Sequence, residues 1–273
     1  MDTQRRARVI AVTSGKGGVG KSVLTVNLAW ALVHAGRRVL VLDADLGLAN
    51  LDILLNLDPK ATLHDVLCGN RALRDVILDG PGGLHILPAG SGMAEYCRMT
   101  SDLRERLPEI LETLAQDYDY LFLDTGAGIS EVVLFTTGLA DEVIVVATPE
   151  PTSLADAYAA VKVMALQQER SVFTVLMNQV TKERPGHMLA TQLQQVADRF
   201  LRIQLGREVS LAYLGSVPAD PAVEQSVCQR RVLMVHAPAS AAARAILTVG
   251  AQLDARPRLE AMSRPVSAGT VMP

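Results

Sequence analysis

Gly15-Lys16-Gly17-Gly18-Val19-Gly20-Lys21-Ser22 decides the reading of this chain of 273 residues. The stretch fits G-x-x-x-x-G-K-[ST], in which glycines let backbone N–H groups turn inward around phosphate oxygens without Cβ clashes. Its flanks agree. Arg8 to Thr13 predicts a short buried strand, β-branched and apolar, and Ser22 to Val33 predicts the helix that follows. A helix N-terminus adds free N–H donors and a partial positive charge. In such a loop Gly15, Lys16, Gly17, Gly18, Val19, Gly20, Lys21, Ser22 and Val23 surround the phosphates. Lys21 reaches the β- and γ-phosphates, and the Ser22 hydroxyl holds Mg²⁺. A flexible glycine turn would require neither Lys21-Ser22 nor the flanking strand and helix.

Working outward, strands and helices alternate, which predicts an α/β fold: one mostly parallel sheet with helices on both faces. Arg38–Asp43, Leu84–Pro88, Tyr120–Asp124, Glu142–Ala147, Phe173–Asn178 and Ala212–Val217 read as strands. Thr62–Leu67, Ser101–Ala115 (with Ser101 as N-cap), Ser153–Gln168, Gly186–Arg202 and Ala239–Leu253 read as helices. No internal repeat interrupts the pattern. The expectation is one domain over 1–254 and a tail over 255–273, rich in Pro, Ser and Arg.

Composition narrows the class. Hydrophobic residues make up 49% and charged residues 20%, enough for a substantial core. A net charge of −3 does not point to nucleic acid as an obligatory partner. Cys68, Cys97 and Cys228 are scattered without a CxxC, which disfavours a metal or disulfide framework and suits a reducing cytoplasm. The uncharged run Ser22–Gly36 is too short to span a bilayer, so a soluble protein is expected. The five histidines have no ligand or triad spacing.

Open parallel sheets bind ligands beyond the carboxyl ends of their strands. Asp124 ends a strand and precedes Thr125-Gly126-Ala127-Gly128. An aspartate there can hold Mg²⁺ directly or through water. Asp43 ends another strand and joins Ser22 and Asp124 in the expected Mg²⁺ set. Asp45, two residues on, is the candidate to orient and polarise the attacking water, since phosphoryl transfer depends on positioning and electrostatics. Taken singly, a strand-end Asp is more often a cap or turn former. The phosphate loop in the same sheet is what favours a site.

Lys16-Gly17-Gly18-Val19-Gly20-Lys21-Ser22 resembles the deviant Walker A box of the MinD/ParA ATPases, and Asp124-Thr125-Gly126-Ala127-Gly128 resembles their second motif. The resemblance covers roughly residues 8–250. It implies an ATP-dependent homodimer that sandwiches two nucleotides. Lys16 would cross to the partner's phosphates, and Glu150 would approach the partner's nucleotide. Asn178 would read the adenine edge, and Pro218, Ala219 and Asp220 would close over the base. Hydrolysis of ATP would release the dimer. Asp43 to Asp52, Gly80 to Leu84, Ala127 to Ser130 and Pro149 to Tyr158 resemble the FlhG/FleN branch, regulators of flagellar number. That likeness implies a protein output: a flagellar master transcription activator or an assembly partner.

This chain departs from the family pattern in places. Ser22 replaces the more usual threonine, and Gly126 stands where proline or alanine is commoner. Residues 251–273 carry Pro257 and Pro265 among few large apolar residues, a poor membrane-binding face, so peripheral attachment to the inner membrane is left open. A division-site or partition ATPase is the rival reading, with Arg71, Arg74, Arg98, Arg104 and Arg106 as a conceivable DNA patch. An iron–sulfur ATPase is disfavoured because residues 124–150 hold no cysteine. Gly15, Gly17 and Gly20 also match G-x-G-x-x-G, but Lys21-Ser22 favours phosphate-loop chemistry over a dinucleotide oxidoreductase.

Overall fold

The computed structural model describes residues 6–47, 49–90 and 99–257. The first strand, β1 (Arg8–Ser14), is buried along its whole length and feeds the glycine loop, which opens α1 (Lys21–His34). Strand β2 (Val39–Ala44) follows, then two short helices, α2 (Leu51–Leu54) and α3 (Leu63–Leu67). A capping box between Thr62 and Asp65 sets the start of α3. Two short strands come next, β3 (Leu78–Asp79) and β4 (His85–Leu87). Helix α4 (Ser101–Asp117) is capped by Thr100, whose hydroxyl accepts from Leu103 N at 3.2 Å, and not by Ser101 as the sequence suggested. The β-region backbone of Thr100 suits a cap, whereas Ser101 is already in the helix.

The second half repeats a strand–helix alternation. Its elements are β5 (Tyr120–Ala127), α5 (Glu131–Gly138), β6 (Glu142–Ala147), α6 (Pro151–Gln167), β7 (Val172–Val180), α7 (Gly186–Leu205) and β8 (Ser210–Pro218). Helices α8 (Pro221–Cys228), α9 (Leu233–His236) and α10 (Ala241–Ala255) close the described chain. Residues 258–273, most of the expected tail, lie outside the described residues.

The strands form one sheet in the order β3-β4-β2-β5-β1-β6-β7-β8, and only β3 runs antiparallel to its neighbour. Strand alternation divides the core. Val9, Ala11, Leu121, Leu123, Val143 and Val145 face a cluster that includes Leu103 and Leu111 of α4, Met164 of α6 and Leu193 of α7. Ile10, Val12, Val41, Phe122 and Ile144 face the opposite cluster, with Leu24 and Leu28 of α1 and Ile246 of α10. Helices therefore cover both faces, which is why these strands read as unbroken apolar runs. The central strands β1 and β5 end side by side at the glycine loop.

One buried ion pair ties the far end of this sheet together. Arg8, 3% exposed, pairs with Glu142 of β6 and donates to the Leu253 carbonyl of α10 at 2.9 Å. Glu142 also accepts from Thr174 Oγ1 of β7 at 2.6 Å. Breaking a buried pair strands a charge and costs about 3–5 kcal/mol, whereas replacing both partners with apolar groups costs far less. Arg8→Met is therefore expected to lower unfolding stability by about that amount in urea titration, and Arg8→Met with Glu142→Leu to recover most of it.

Candidate functional site

The glycine loop is held by backbone packing on two sides. A Cβ on Gly15 would lie 2.1 Å from the Asp156 carbonyl oxygen, so the loop rests directly against the main chain of α6. Gly20 caps α1 at φ 86°, a left-handed conformation, and a Cβ there would sit 2.5 Å from Asn178 Nδ2. Asn178 itself donates to the Val19 carbonyl at 2.7 Å. The residue expected at the adenine edge is thus also a brace for the loop, a role its place at a strand end did not reveal. Ser14 Oγ donates to the Lys16 carbonyl at 2.8 Å and closes the near side.

Parallel register brings the carboxylates to this loop. Asp124 of β5 lies beside Val12 of β1 and Asp43 of β2. Both aspartates are 2% exposed. Lys21 Nζ stands 3.6 Å from Asp124 Oδ1, and Thr25 Oγ1 donates to the same oxygen at 3.1 Å. The Ser22 side chain lies close enough to favour the ionised Asp124 carboxylate. Burial raises the Asp124 pKa even so, and these three donors oppose it.

Asp43, expected in the Mg²⁺ set, is met by main-chain amides. Its Oδ1 accepts from Asp45 N at 3.1 Å, and its Oδ2 accepts from Asn50 N at 3.0 Å and Leu51 N at 3.1 Å. It organises the loop that carries Asp45 into the site. Burial first, and then the charge of Asp124, push its pKa up to about 7 against those hydrogen bonds. Asp45 reaches the second motif: a Cβ on Gly126 would come within 3.3 Å of Asp45 Oδ1. The small residue at 126 therefore leaves room for that carboxylate.

The remaining candidates sit at the rim. Lys16 Nζ lies 2.6 Å from Glu150 Oε2 and donates to Thr152 Oγ1 at 3.2 Å, at the start of α6. Pro218 ends β8, and Ala219 N donates to the Val180 carbonyl at 3.1 Å. Asp220 is committed to two helix starts, accepting from Ala222 N at 2.9 Å and Ala242 N at 3.0 Å. Of the conceivable DNA patch, Arg104 pairs with Glu131 at 2.9 Å and Arg106 donates to the Leu67 carbonyl, while Arg98 lies outside the described residues.

Among the described residues no trio of His, Cys, Asp or Glu could hold a metal alone. That agrees with Mg²⁺ chemistry, since Mg²⁺ at phosphates takes one or two protein oxygens and fills its shell with phosphate and water. The Ser22 hydroxyl and the Asp124 carboxylate supply hard oxygen of that kind. A cavity of about 720 Å³ between β8 and α10 is a different feature, and its cation, Arg256, is already bonded to the Tyr213 carbonyl at 2.5 Å.

Residues 7–175 match the family described as AAA domain. The chain is 42% identical to the antiactivator FleN of Pseudomonas aeruginosa over 257 residues, 94% of this chain and 90% of that protein. The chain belongs to the MinD/ParA-type P-loop ATPases. It is also 32% identical to the flagellum site-determining protein YlxH of Helicobacter pylori, across 87% of this chain and 78% of that one. The septum site-determining protein MinD of Pyrococcus horikoshii, solved with Mg-ADP, superposes with TM-score 0.75 at 27% identity, covering 91% of this chain and 96% of that chain. As a family member this protein binds nucleotide with Mg²⁺ and hydrolyses ATP. Among the described residues no helix is long and apolar enough to cross a membrane.

Two outcomes follow from the geometry. Gly15→Ala forces the loop off α6, and overpacking of this kind costs about 1–3 kcal/mol. It is expected to weaken nucleotide binding measured by calorimetry while leaving the far-ultraviolet circular dichroism unchanged. The second concerns pH. The raised pKa of Asp43 means the native state holds a proton that the unfolded chain has already lost above about pH 4. Its contribution to stability is present below about pH 4 and is lost as pH rises toward about 7. Between pH 5 and pH 8 the ligand-free melting temperature of Asp43→Asn is expected to fall less steeply than that of the parent, read by scanning calorimetry.

Proposed function

We propose that this chain is an ATP-dependent dimerising switch that sets flagellar number by binding a flagellar transcription activator or assembly protein. The observation that carries the switch is Lys16. It is 40% exposed at its side chain and held by Glu150, which is 63% exposed. An exposed ion pair is worth about 0–1 kcal/mol. A charge-assisted bond to phosphate in a closed interface is roughly twice as strong as a neutral one, and it exists only in the dimer. The Lys16–Glu150 pair therefore yields at little cost when a partner's nucleotide is offered.

In this reading Lys21 meets the β- and γ-phosphates, and Ser22 and Asp124 hold Mg²⁺, directly or through water. When bound there, Mg²⁺ would supply positive charge to offset that of the phosphates. Asp43 keeps the Asp45 loop in place, and Asp45 orients the attacking water. Asn178 presents its amide to the base while bracing the loop. The flagellar output is supported by the relatives, one named an antiactivator and one a flagellum site-determining protein. Relatives named septum site-determining protein MinD support a division-site role second.

Light scattering on a sizing column tests the switch, with ADP and with ATP plus Mg²⁺, using Asp45→Ala to slow hydrolysis. A monomer with ADP, a dimer with ATP and no dimer in Lys16→Ala are expected. One unchanged oligomeric state in all conditions would sink the switch. The output is tested separately by counting flagella in a deletion strain complemented with parent or Lys16→Ala. Extra flagella that only the parent corrects are expected, and unchanged flagella with misplaced septa would move the output to division.

A further inference from the structure

Thr25 lies one helical turn past Lys21, is fully buried, and has no place in the phosphate-loop motif. Its hydroxyl stands 3.0 Å from the Lys21 carbonyl and 3.1 Å from Asp124 Oδ1. A bond to the carbonyl four residues back is a common resting place for a helical threonine. Here that bond selects the rotamer of a β-branched side chain, which is stiff about χ1. The hydroxyl shares its one proton between these two acceptors, and in that three-centre arrangement it links the first turn of α1 to the end of β5.

The partners of Asp124 differ in what a ligand does to them. Lys21 and Ser22 are the loop groups that turn toward phosphate and Mg²⁺. Thr25 is 0% exposed, and both of its contacts are made inside the protein, to the Lys21 carbonyl and to Asp124. We infer that Thr25 is a positioning residue for the Mg²⁺ site, acting through Asp124: its hydroxyl, fixed by the Lys21 carbonyl, sets the orientation of the carboxylate that receives the ion. The inference rests on the family's Mg²⁺-nucleotide chemistry and is independent of dimerisation and of the flagellar output.

The alternative is a buried threonine satisfied by its own helix. Thr25→Val separates the two, because it keeps the shape and removes the hydroxyl. A fluorescent ADP, N-methylanthraniloyl-ADP, reports binding across a Mg²⁺ titration and in EDTA. Partners behind a metal ligand typically matter 10–100-fold for metal affinity. Thr25→Val is therefore expected to raise the Mg²⁺ concentration at half-saturation about tenfold, with affinity in EDTA within about twofold of the parent. Thr25→Ser restores the hydroxyl and is expected to restore the parent's Mg²⁺ dependence. In an Asp124→Asn background, Thr25→Val is expected to add nothing. An unchanged Mg²⁺ dependence in Thr25→Val would overturn the inference. So would an equal loss with and without Mg²⁺, or a defect in Thr25→Ser as large as in Thr25→Val. If Thr25→Val does not fold, Thr25→Ala is read by the same criteria.

Discussion

Two carboxylates buried side by side constrain this structure more than any other interaction. Asp43 and Asp124 face each other in register on adjacent parallel strands, each almost inaccessible to water. Like charges in such a place repel, and burial disfavours both ionised forms. The fold answers with donors. Lys21, Ser22 and Thr25 come from the start of α1 to Asp124, and the amides of Asp45, Asn50 and Leu51 come to Asp43. Those donors in turn fix where α1 begins and how the loop after β2 runs. A cation placed between the strands and the phosphates would relieve the same repulsion, so the repulsion between the carboxylates and their suitability for Mg²⁺ have one origin.

Much of this was legible in the sequence because the signals are local and strong. Val9 to Val12, Val39 to Leu42 and Val143 to Val146 are apolar on both faces, as central parallel strands must be. Lys21-Ser22 after four glycines within six residues left little choice about the loop. What was missed is short or lacks period. Strand β3 has two residues, and α2 and α9 have four each. Helix α5, Glu131–Gly138, buries Val132, Val133, Thr136 and Thr137 on one face but carries the apolar Leu134 and Phe135 on the other, so no amphipathic stripe shows. Strand β5 runs on through Gly126 to Ala127 because β1 and β2 offer partners to it, which is a tertiary effect invisible in Thr-Gly-Ala.

At the site, the residue types were legible and their division of labour was not. Asp43 and Asp124 look equivalent as strand-end aspartates. They part only in space, one accepting from main-chain amides and the other from side chains of α1. Asn178 and Asp220 show the same limit, since they bond Val19 and Ala242 across 159 and 22 residues. Thr25 carries a faint sequence signal, a β-branched hydroxyl one turn inside a mostly apolar helix.

The loop and α6 are in close contact at two neighbouring residues. Gly15 touches the α6 main chain at Asp156, where a single added methyl would collide with a carbonyl. Lys16, the next residue, is tied to Glu150 and Thr152 at the N-terminus of the same helix. The first contact is steric and unyielding, and the second is an exposed ion pair of about 0–1 kcal/mol. A ligand that draws Lys16 away breaks the weak link and leaves the strong one intact. A displacement of the loop at Gly15 toward α6 would press on that helix, because close-packed main chain transmits strain rather than absorbing it. The residues expected at the phosphates thus adjoin the start of α6 through one weak polar link and one close packing contact.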